Sequence, residues 1–476
     1  MGLKTITVDY IEFSKENTLR CDVDFIDFQN NFNVNNFYSF NDLFYLKKEN
    51  SVDISSFDDD FYYSEIGNVS KEGEVEPIKL NFSERNIEDE NYYKKIEKGD
   101  IICVDENEIL LSKVRPNLKK YVFIDNYNKD VLYTSAFIHL QPKRLNKILY
   151  YSFRNVFYNN LIAISRQGKG YPTLKENDFQ YLKFYKEIID NFQNNQDQIV
   201  SQIEPIEQSI KKLKSQIQPA QKIIDAVFAR EFGFDIEKIE ELKTHKIFNV
   251  DFFDFANNID LRWSAKFHRE AGKFVLEQLK SKTDKKIKDF LSEPIVLGKG
   301  ISPNEYDENG EVFYIAMSNI KNWKFEAEDA KTVSSVFANE NKNKTVALND
   351  ILLARSGEGT IGKVALIDDE NIDGIFADFT MRIRLKNYNH LFAYYYFRST
   401  YFQYLVEINK KGLGNNTNIF PSQIQEFPLF DTSLEEQQQI VNEIKAELDK
   451  QEKIKKTIVE ERNKIDEIIE NGIHTS

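Results

Sequence analysis

The feature that most constrains this chain is that it repeats itself once, with a period of about half its 476 residues. Val8–Phe13 (VDYIEF), followed by Leu19 and Arg20, returns 242 residues later as Val250–Phe255 (VDFFDF), followed by Leu261 and Arg262. Glu108-Ile109-Leu110-Leu111 returns at the same offset as Asp350-Ile351-Leu352-Leu353. Phe153-Arg154 returns as Phe397-Arg398 and Gly168-x-Gly170 as Gly412-x-Gly414, both at 244. Gln198-Ile199-Val200 returns as Gln439-Ile440-Val441 at 241. The order is kept and the offset drifts by a few residues, which chance similarity does not produce. A period this long is too large for a solenoid and implies two domains of one fold. The length agrees, since a chain of this size exceeds one core.

Each copy changes texture at the same place. Residues 8 to 190 and 250 to 430 carry short β-branched and aromatic runs broken by Gly, Asn and Asp. ILLSKV, YVFI and SAFIHL in the first copy, and TVAL, ILLA, KVALI and MRIRL in the second, read as strands. A helix is expected near Leu149–Leu161, so each domain reads as mixed α/β (α+β). After each domain comes a polar, nearly glycine-free stretch with helical spacing. In the first, Ile199, Ile203, Ile206, Ile210, Leu213, Ile217, Ala220, Ile224 and Val227 alternate steps of four and three, a coiled-coil seam. In the second, Ile440, Ile444, Leu448, Ile454, Ile458, Ile465 and Ile468 form a looser stripe, interrupted by Gln451 and Glu461. Pro205 and Pro219 would each cost about 3 kcal/mol inside a helix, which predicts a kink or restart at one or both. Antiparallel pairing of the two helices buries both stripes, and a helix of about 35 residues spans about 50 Å. The expected division is a globular domain over 1–192, a spacer helix over 193–236, a second globular domain over 246–432 and a second spacer helix over 433–471.

Composition narrows the class. Hydrophobic residues at 41% and aromatics at 13% supply cores, which argues against wholesale disorder. Mean hydropathy is −0.53 and no apolar run reaches 18 residues, so no membrane span is expected. The start, MGLKTITVDY, lacks the apolar stretch of a secretory signal. Two cysteines, Cys21 and Cys103, suit a reducing cytoplasm and exclude a disulfide scaffold. A zinc site is not expected from two distant cysteines and five scattered histidines. The formal net charge of −14 counts against unaided high-affinity DNA binding, because phosphate contacts need Lys and Arg. Local basic patches or a basic partner would have to supply them.

Two pairs of matching segments carry such patches. LLSKVRPNLKKYVFI displays Lys113, Arg115, Lys119 and Lys120 with no acid among them, a local reversal of the chain's charge. Its counterpart, Gly357-Glu358-Gly359-Thr360-Ile361-Gly362-Lys363, has the Gly and Lys spacing of a phosphate loop. Val364 replaces the required Ser/Thr, and VALIDD reads as a strand where a helix is needed. The better reading is a hairpin turn between ILLAR and KVALI that displays Arg355, Thr360 and Lys363. The second pair is ISRQGKGYPTL, with Arg166, Lys169 and Tyr171, and INKKGLGNNTNIF, with Lys410, Lys411, Asn415 and Asn416. Arg and Lys donate to guanine and Asn to adenine in the major groove, and glycine permits close backbone approach. These fourteen side chains are the candidate DNA contacts. The bland alternatives are solvated hairpins and turns of a duplicated fold. Catalytic constellations are missing: no Asn/Asp-Pro-Pro-aromatic motif, no complete phosphate loop, no HExxH, and carboxylates too scattered to nominate a nuclease site.

Two tandem α/β domains, each trailing a long helix, resemble the specificity subunit of type I restriction-modification enzymes. The resemblance covers nearly the whole chain. Its carrying segments are Asp350–Ile367 (DILLARSGEGTIGKVALI), Gly412–Phe430 (GLGNNTNIFPSQIQEFPLF) and Leu434–Ile444 (LEEQQQIVNEI). In the first copy the passage into the helix, Phe179–Val200, is degenerate, and Pro205 and Pro219 depart from the pattern. The resemblance implies a non-catalytic subunit. Each domain would read one half of a split double-stranded DNA sequence, and the paired helices would set the spacer and dock two methyltransferase subunits. Restriction (translocase/nuclease) subunits would complete the complex. No cofactor is implied for this chain; S-adenosylmethionine, magnesium and ATP would belong to the partners. Two other readings stay open. A coiled-coil scaffold with two protein-binding globular domains would leave Lys113, Arg115, Lys363 and Lys411 dispensable. An enzyme with unrecognised motifs would turn over DNA in isolation.

Overall fold

The structure is a computed structural model that describes residues 23–30, 36–47, 60–83, 85, 89–167, 170–245, 247–256, 262, 264–357, 359–412 and 417–473. The VDYIEF repeat, Leu19, Arg20 and Leu261 lie outside them. The chain divides into two compact units, one made of Met1–Ser215 with Lys456–Ser476, the other of Gln216–Lys455.

The main sheets of the first unit use β1 (Phe44–Leu46), β2 (Phe61–Ser64), β3 (Ile78–Leu80), β4 (Ile109–Ser112), β5 (Tyr121–Phe123), β6 (Val131–Tyr133) and β7 (Phe137–Pro142). They form a four-stranded sheet in the order β1-β7-β4-β5 and a three-stranded sheet in the order β3-β2-β6. The second unit uses β8 (Val296–Leu297), β9 (Val312–Ile315), β10 (Lys331–Val333), β11 (Ile351–Ala354), β12 (Val364–Leu366), β13 (Gly374–Phe376) and β14 (Thr380–Ile383). Its orders are β8-β14-β11-β12 and β10-β9-β13, the same two sheets seven strands later. The one parallel pair in each three-stranded sheet also corresponds, β2 with β6 and β9 with β13. The register agrees as well: Leu111 faces Tyr121 and Leu353 faces Val364. Ile109–Ser112 and Ile351–Ala354 are buried at every position, as expected of short apolar runs flanked by a strand on each side. The expected strand TVAL makes only an isolated bridge, Thr345 with Ile375. It ends at the exposed Leu348 and at Asn349, whose φ is +71°.

In the first unit the helices are α1 (Asn146–Arg154), α2 (Tyr158–Ala163), α3 (Lys186–Asn194) and α4 (Gln196–Lys214). The single helix expected near Leu149–Leu161 is interrupted between α1 and α2. There the Asn155 side chain takes the Val156 N–H at 2.5 Å, competing with the helical ladder. The second unit contains α5 (Ala220–Phe232), α6 (Ile236–Thr244), α7 (Glu270–Lys280), α8 (His390–Arg398) and α9 (Thr400–Asn409). The 38-residue α10 (Leu434–Asn471) gives its first part to the second unit and its last part to the first. Its start is a capping box: the Ser433 hydroxyl accepts the Glu436 N–H at 3.2 Å, and the Glu436 carboxylate accepts the Ser433 N–H at 2.9 Å.

The expected spacer helix over 193–236 is not one rod. Pro205 sits inside α4 without ending it; it and Ser201, whose carbonyl loses its partner, are both exposed to water. The break falls at Pro219, which caps α5 as the last of five non-helical residues. Within the first unit Asn191 donates to the Ile473 carbonyl at 2.7 Å, and Ile199, Ile203, Ile210, Ile458 and Ile465 are buried. Ile206, Leu213, Ile217, Ile454 and Ile468 are half-buried. Within the second unit the start of α5 meets the middle of α10 and its end meets the α10 start: Gln218 N–H donates to Gln451 at 2.8 Å, and Arg230 pairs with Glu443. Gln451, which interrupts the apolar stripe, thus satisfies a backbone donor left by the Pro219 break. Ile224, Val227, Ile440 and Ile444 join the core with Phe228, Phe392, Tyr396 and Phe430, while Leu448 packs at its edge. Phe232 stacks on Phe430 at 3.9 Å. Val441 and Ile469, outside the expected stripe, are fully buried.

Candidate nucleic-acid interface

The two loop pairs nominated from sequence are brought together in each unit, and by the same bonds. After β4, the Lys113 N–H donates to the Ala136 carbonyl (2.9 Å), and the Lys113 carbonyl accepts the Leu174 N–H (2.8 Å). After β11, the Arg355 N–H donates to the Phe379 carbonyl (2.9 Å), and the Arg355 carbonyl accepts the Ile419 N–H (2.9 Å). One residue further, Val114 bridges Thr173 and Ser356 bridges Asn418. Lys113 and Arg355 therefore occupy equivalent places, each between a hairpin turn and a second loop from a distant part of the chain.

In the first unit the hairpin turn is held by the buried Tyr121, whose hydroxyl donates to the Pro116 carbonyl at 2.6 Å; burial pushes that hydroxyl's pKa up. Arg115 and Lys119 adopt left-handed φ values of +51° and +53°, uncommon for residues with a side chain. The second loop folds on itself, Gln167 against Pro172 and Arg166 against Thr173, and Arg115 N–H donates to the Pro172 carbonyl at 2.9 Å. The exposed Arg115 guanidinium lies over the exposed Tyr171 ring, 5.2 Å from its centroid. Among the described cations of this loop pair, Arg115 is the exposed one.

The other cations nominated here are committed to the fold. Arg166 makes two bonds to the fully buried Asp178, Nε to Oδ2 at 2.8 Å and Nη2 to Oδ1 at 2.6 Å. Lys119 donates to the Arg154 carbonyl at 2.6 Å beneath the Tyr158 ring, and burial, with the neighbouring Arg154 charge, pushes its ammonium below the ordinary value. Lys120 donates to the Ile66 carbonyl at 3.0 Å, and Lys113 to the Ser135 carbonyl at 2.7 Å with Glu176 at 3.1 Å. Arg166 and Lys119 thus each make bonds that hold the fold. Lys169 lies outside the described residues.

In the second unit the turn uses Gly357 and Gly362 at φ +84° and +86°. A Cβ at Gly362 would stand 2.7 Å from Gln403 Oε1, so this turn needs glycine for both conformation and room. Thr360, expected on display, instead ties the turn, its hydroxyl donating to the Ser356 carbonyl at 2.8 Å. Lys410 is closed on Glu407 at 2.6 Å with its side chain 11% exposed, and Lys411 is held through its backbone to Asn418. Arg262 donates to the carbonyls of Ile408, Asn409 and Lys410, capping the end of α9 and positioning the start of this loop. Asn415 and Asn416 lie outside the described residues. Lys363 is half-buried and makes no side-chain hydrogen bond or ion pair with the described residues.

Arg355 differs from these. Its guanidinium lies over two exposed rings, Phe379 (46% exposed) at 5.9 Å and Phe420 (39% exposed) at 5.6 Å. Nη2 donates to Asn418 Oδ1 at 3.2 Å, and the buried Nε has no partner among the described residues, a loss of about 1–3 kcal/mol for an ordinary buried donor. Phe379 and Phe420 were not nominated from sequence. Aligning the two copies would have marked Phe379, which stands where the first copy has Ala136.

Among the described residues no group of His, Cys, Asp and Glu could hold a metal, and no helix is long and apolar enough to cross a membrane. Residues 280–462 match the family model described as the type I restriction modification DNA specificity domain, and this span contains both loops of the second unit. Over that segment the chain is similar to the type I restriction-modification specificity family. No curated protein matches it. Three solved structures are similar to this chain at low identity. One comes from work on complex assembly and conformational transition of the type I R-M system (12% identity, 92% of this chain and 97% of that one, TM-score 0.44). Another is the HsdS subunit from Thermoanaerobacter tengcongensis (12%, 92% and 96%, TM-score 0.36). A third is the type I restriction-modification system S subunit from M. genitalium (14%, 93% and 98%, TM-score 0.42).

Proposed function

We propose that this chain is the non-catalytic DNA-specificity subunit of a type I restriction-modification complex, and that each unit reads one half of a split double-stranded DNA sequence through its loop pair. The observation that carries the reading is the recurrence, in both units, of one loop junction, which carries Arg115 over the exposed Tyr171 ring in the first and Arg355 over the exposed Phe379 and Phe420 rings in the second. The same scaffold with different polar residues is what two readers of unlike half-sequences require. In this reading the recognition domains span 1–192 and 246–432. The helical segments over 193–236 and 433–471 pair antiparallel as a coiled coil, set the unread spacer and dock two methyltransferase subunits. Restriction subunits, S-adenosylmethionine, magnesium and ATP belong to the rest of the complex. The net charge of −14 supports this division, since partners would supply much of the phosphate contact.

The test is competition binding by the full chain with its methyltransferase subunits, using duplexes selected from a random-sequence library. Two short specified blocks separated by an unspecified spacer are expected, and exchanging one unit's loop pair should change one block alone. Affinity indifferent to either block would overturn the reading.

A further inference from the structure

We propose that Arg355 is the guanine-reading side chain of the second unit, held for that task by Phe379, Phe420 and Asn418; this rests on the DNA-reading function proposed above. Arginines at the two loop junctions fall into two kinds. Arg166 is closed on a buried carboxylate through two bonds, which leaves its charge compensated and its fork occupied. Among the described residues Arg355 has no carboxylate partner; its one hydrogen bond goes to a neutral amide, and its guanidinium carbon lies over two phenyl rings, 5.9 and 5.6 Å from their centroids, that are themselves open to solvent. Rings over a guanidinium restrict its rotation without consuming its in-plane N–H donors, so the fork is pre-oriented for a planar acceptor pair. Guanine O6 and N7 in the major groove are such a pair, and arginine is their commonest partner.

The comparison between units strengthens the assignment. The backbone bonds that place Arg355 are repeated at Lys113, but Lys113 is tied to the Ser135 carbonyl and Glu176, and Ala136 stands where Phe379 does. The scaffold is thus kept while the reader is changed at this position, which is where two specificities are expected to diverge. A phosphate contact would use the same cation but would not require aromatic rings and an amide to orient its edge. The two sources of acceptor are separable by experiment.

The experiment uses the full chain with its methyltransferase subunits and the duplexes it selects from a random-sequence library. Each guanine of the selected sequence is replaced in turn by 7-deazaguanine, which removes N7 and leaves the phosphates intact. One guanine in the block read by the second unit should lower wild-type affinity about tenfold. Arg355→Ala and Arg355→Lys should bind that block more weakly and lose the response to 7-deazaguanine, while the other block is read as before. Phe420→Leu, which keeps the fork and removes a ring, should reduce the discrimination partially; it serves as the second variant should Arg355→Ala misfold. If wild type selects two blocks but no guanine substitution is sensed through Arg355, or if Arg355→Ala weakens all duplexes equally, the assignment is wrong and the residue is a phosphate contact. If wild type selects no sequence, both this assignment and the DNA-reading function fall together.

Discussion

Replacing Asp178 by alanine tests the claim that Arg166 is scaffold. The carboxylate is fully buried and accepts two charged hydrogen bonds, at 2.8 and 2.6 Å, from a guanidinium that is 27% exposed. Removing one partner of a buried ion pair costs about 3–5 kcal/mol, because the remaining charge loses compensation without regaining water. The quarter exposure of Arg166 lets water recover part of that, which brings the expectation to about 2–4 kcal/mol. The cost should be local, falling on the loop that Arg166 and Thr173 pair across and on the Leu174 N–H that this loop donates to Lys113. Hydrogen-exchange mass spectrometry reads this directly: amides of 166–185 should exchange on the order of 30- to 1,000-fold faster, at about 1.4 kcal/mol per tenfold. Amides of 410–430, in the equivalent loop of the other unit, serve as the internal control. Replacing both residues, Arg166→Met with Asp178→Leu, should restore much of the protection, since an apolar pair of similar volume leaves no charge unpaired. Unchanged exchange in 166–185, or an equal rise in 410–430, would refute the scaffold assignment.

Four further outcomes follow from the geometry. Gly362→Ala should lower the stability of the second unit by about 2–4 kcal/mol, combining a left-handed φ with a clash against Gln403, whereas Gly359→Ala, at φ +79° with nothing near its Cβ position, should cost about 1 kcal/mol; thermal melting of the two variants checks the order. Burial raises the Glu108 pKa, but hydrogen bonds from His139, the Asp105 N–H and Lys47 outweigh it and hold the carboxyl below its ordinary value. Its stabilisation is therefore present above the unfolded value of about 4.3 and lost as pH falls through the folded one, so Glu108→Gln should flatten the acid side of a melting-temperature profile. Asp225 has the opposite sign, because burial outweighs the bonds from Thr400 and Gln221 and raises its pKa; Asp225→Asn should remove a contribution that weakens as pH rises above about 4, read in the same profile. Gln451→Leu should destabilise the second unit by under about 1 kcal/mol despite adding apolar surface to the stripe, since the exposed Gln218 N–H can turn to water; a loss well above that in urea titration would give the contact a larger role.

The internal repeat, the four-residue apolar strands at 109 and 351, and the alternating isoleucines of the helical stretches were all legible in the chain as written. Each is a periodic or local property, and periodicity decides which face of an element is buried before any neighbour is known. Even the break in the first helical stretch was foreseen, although the choice between Pro205 and Pro219 was not. Which positive charges stand open was decided by tertiary structure alone. Arg166, Lys119 and Arg355 look alike in a sequence of basic loops, yet Asp178 closes the first and the Arg154 carbonyl holds the second. The third lies on Phe379 and Phe420, side chains 24 and 65 residues away along the chain. A cation is available to a ligand only if the folded chain has not already satisfied it, and that balance is set by neighbours that no local pattern names.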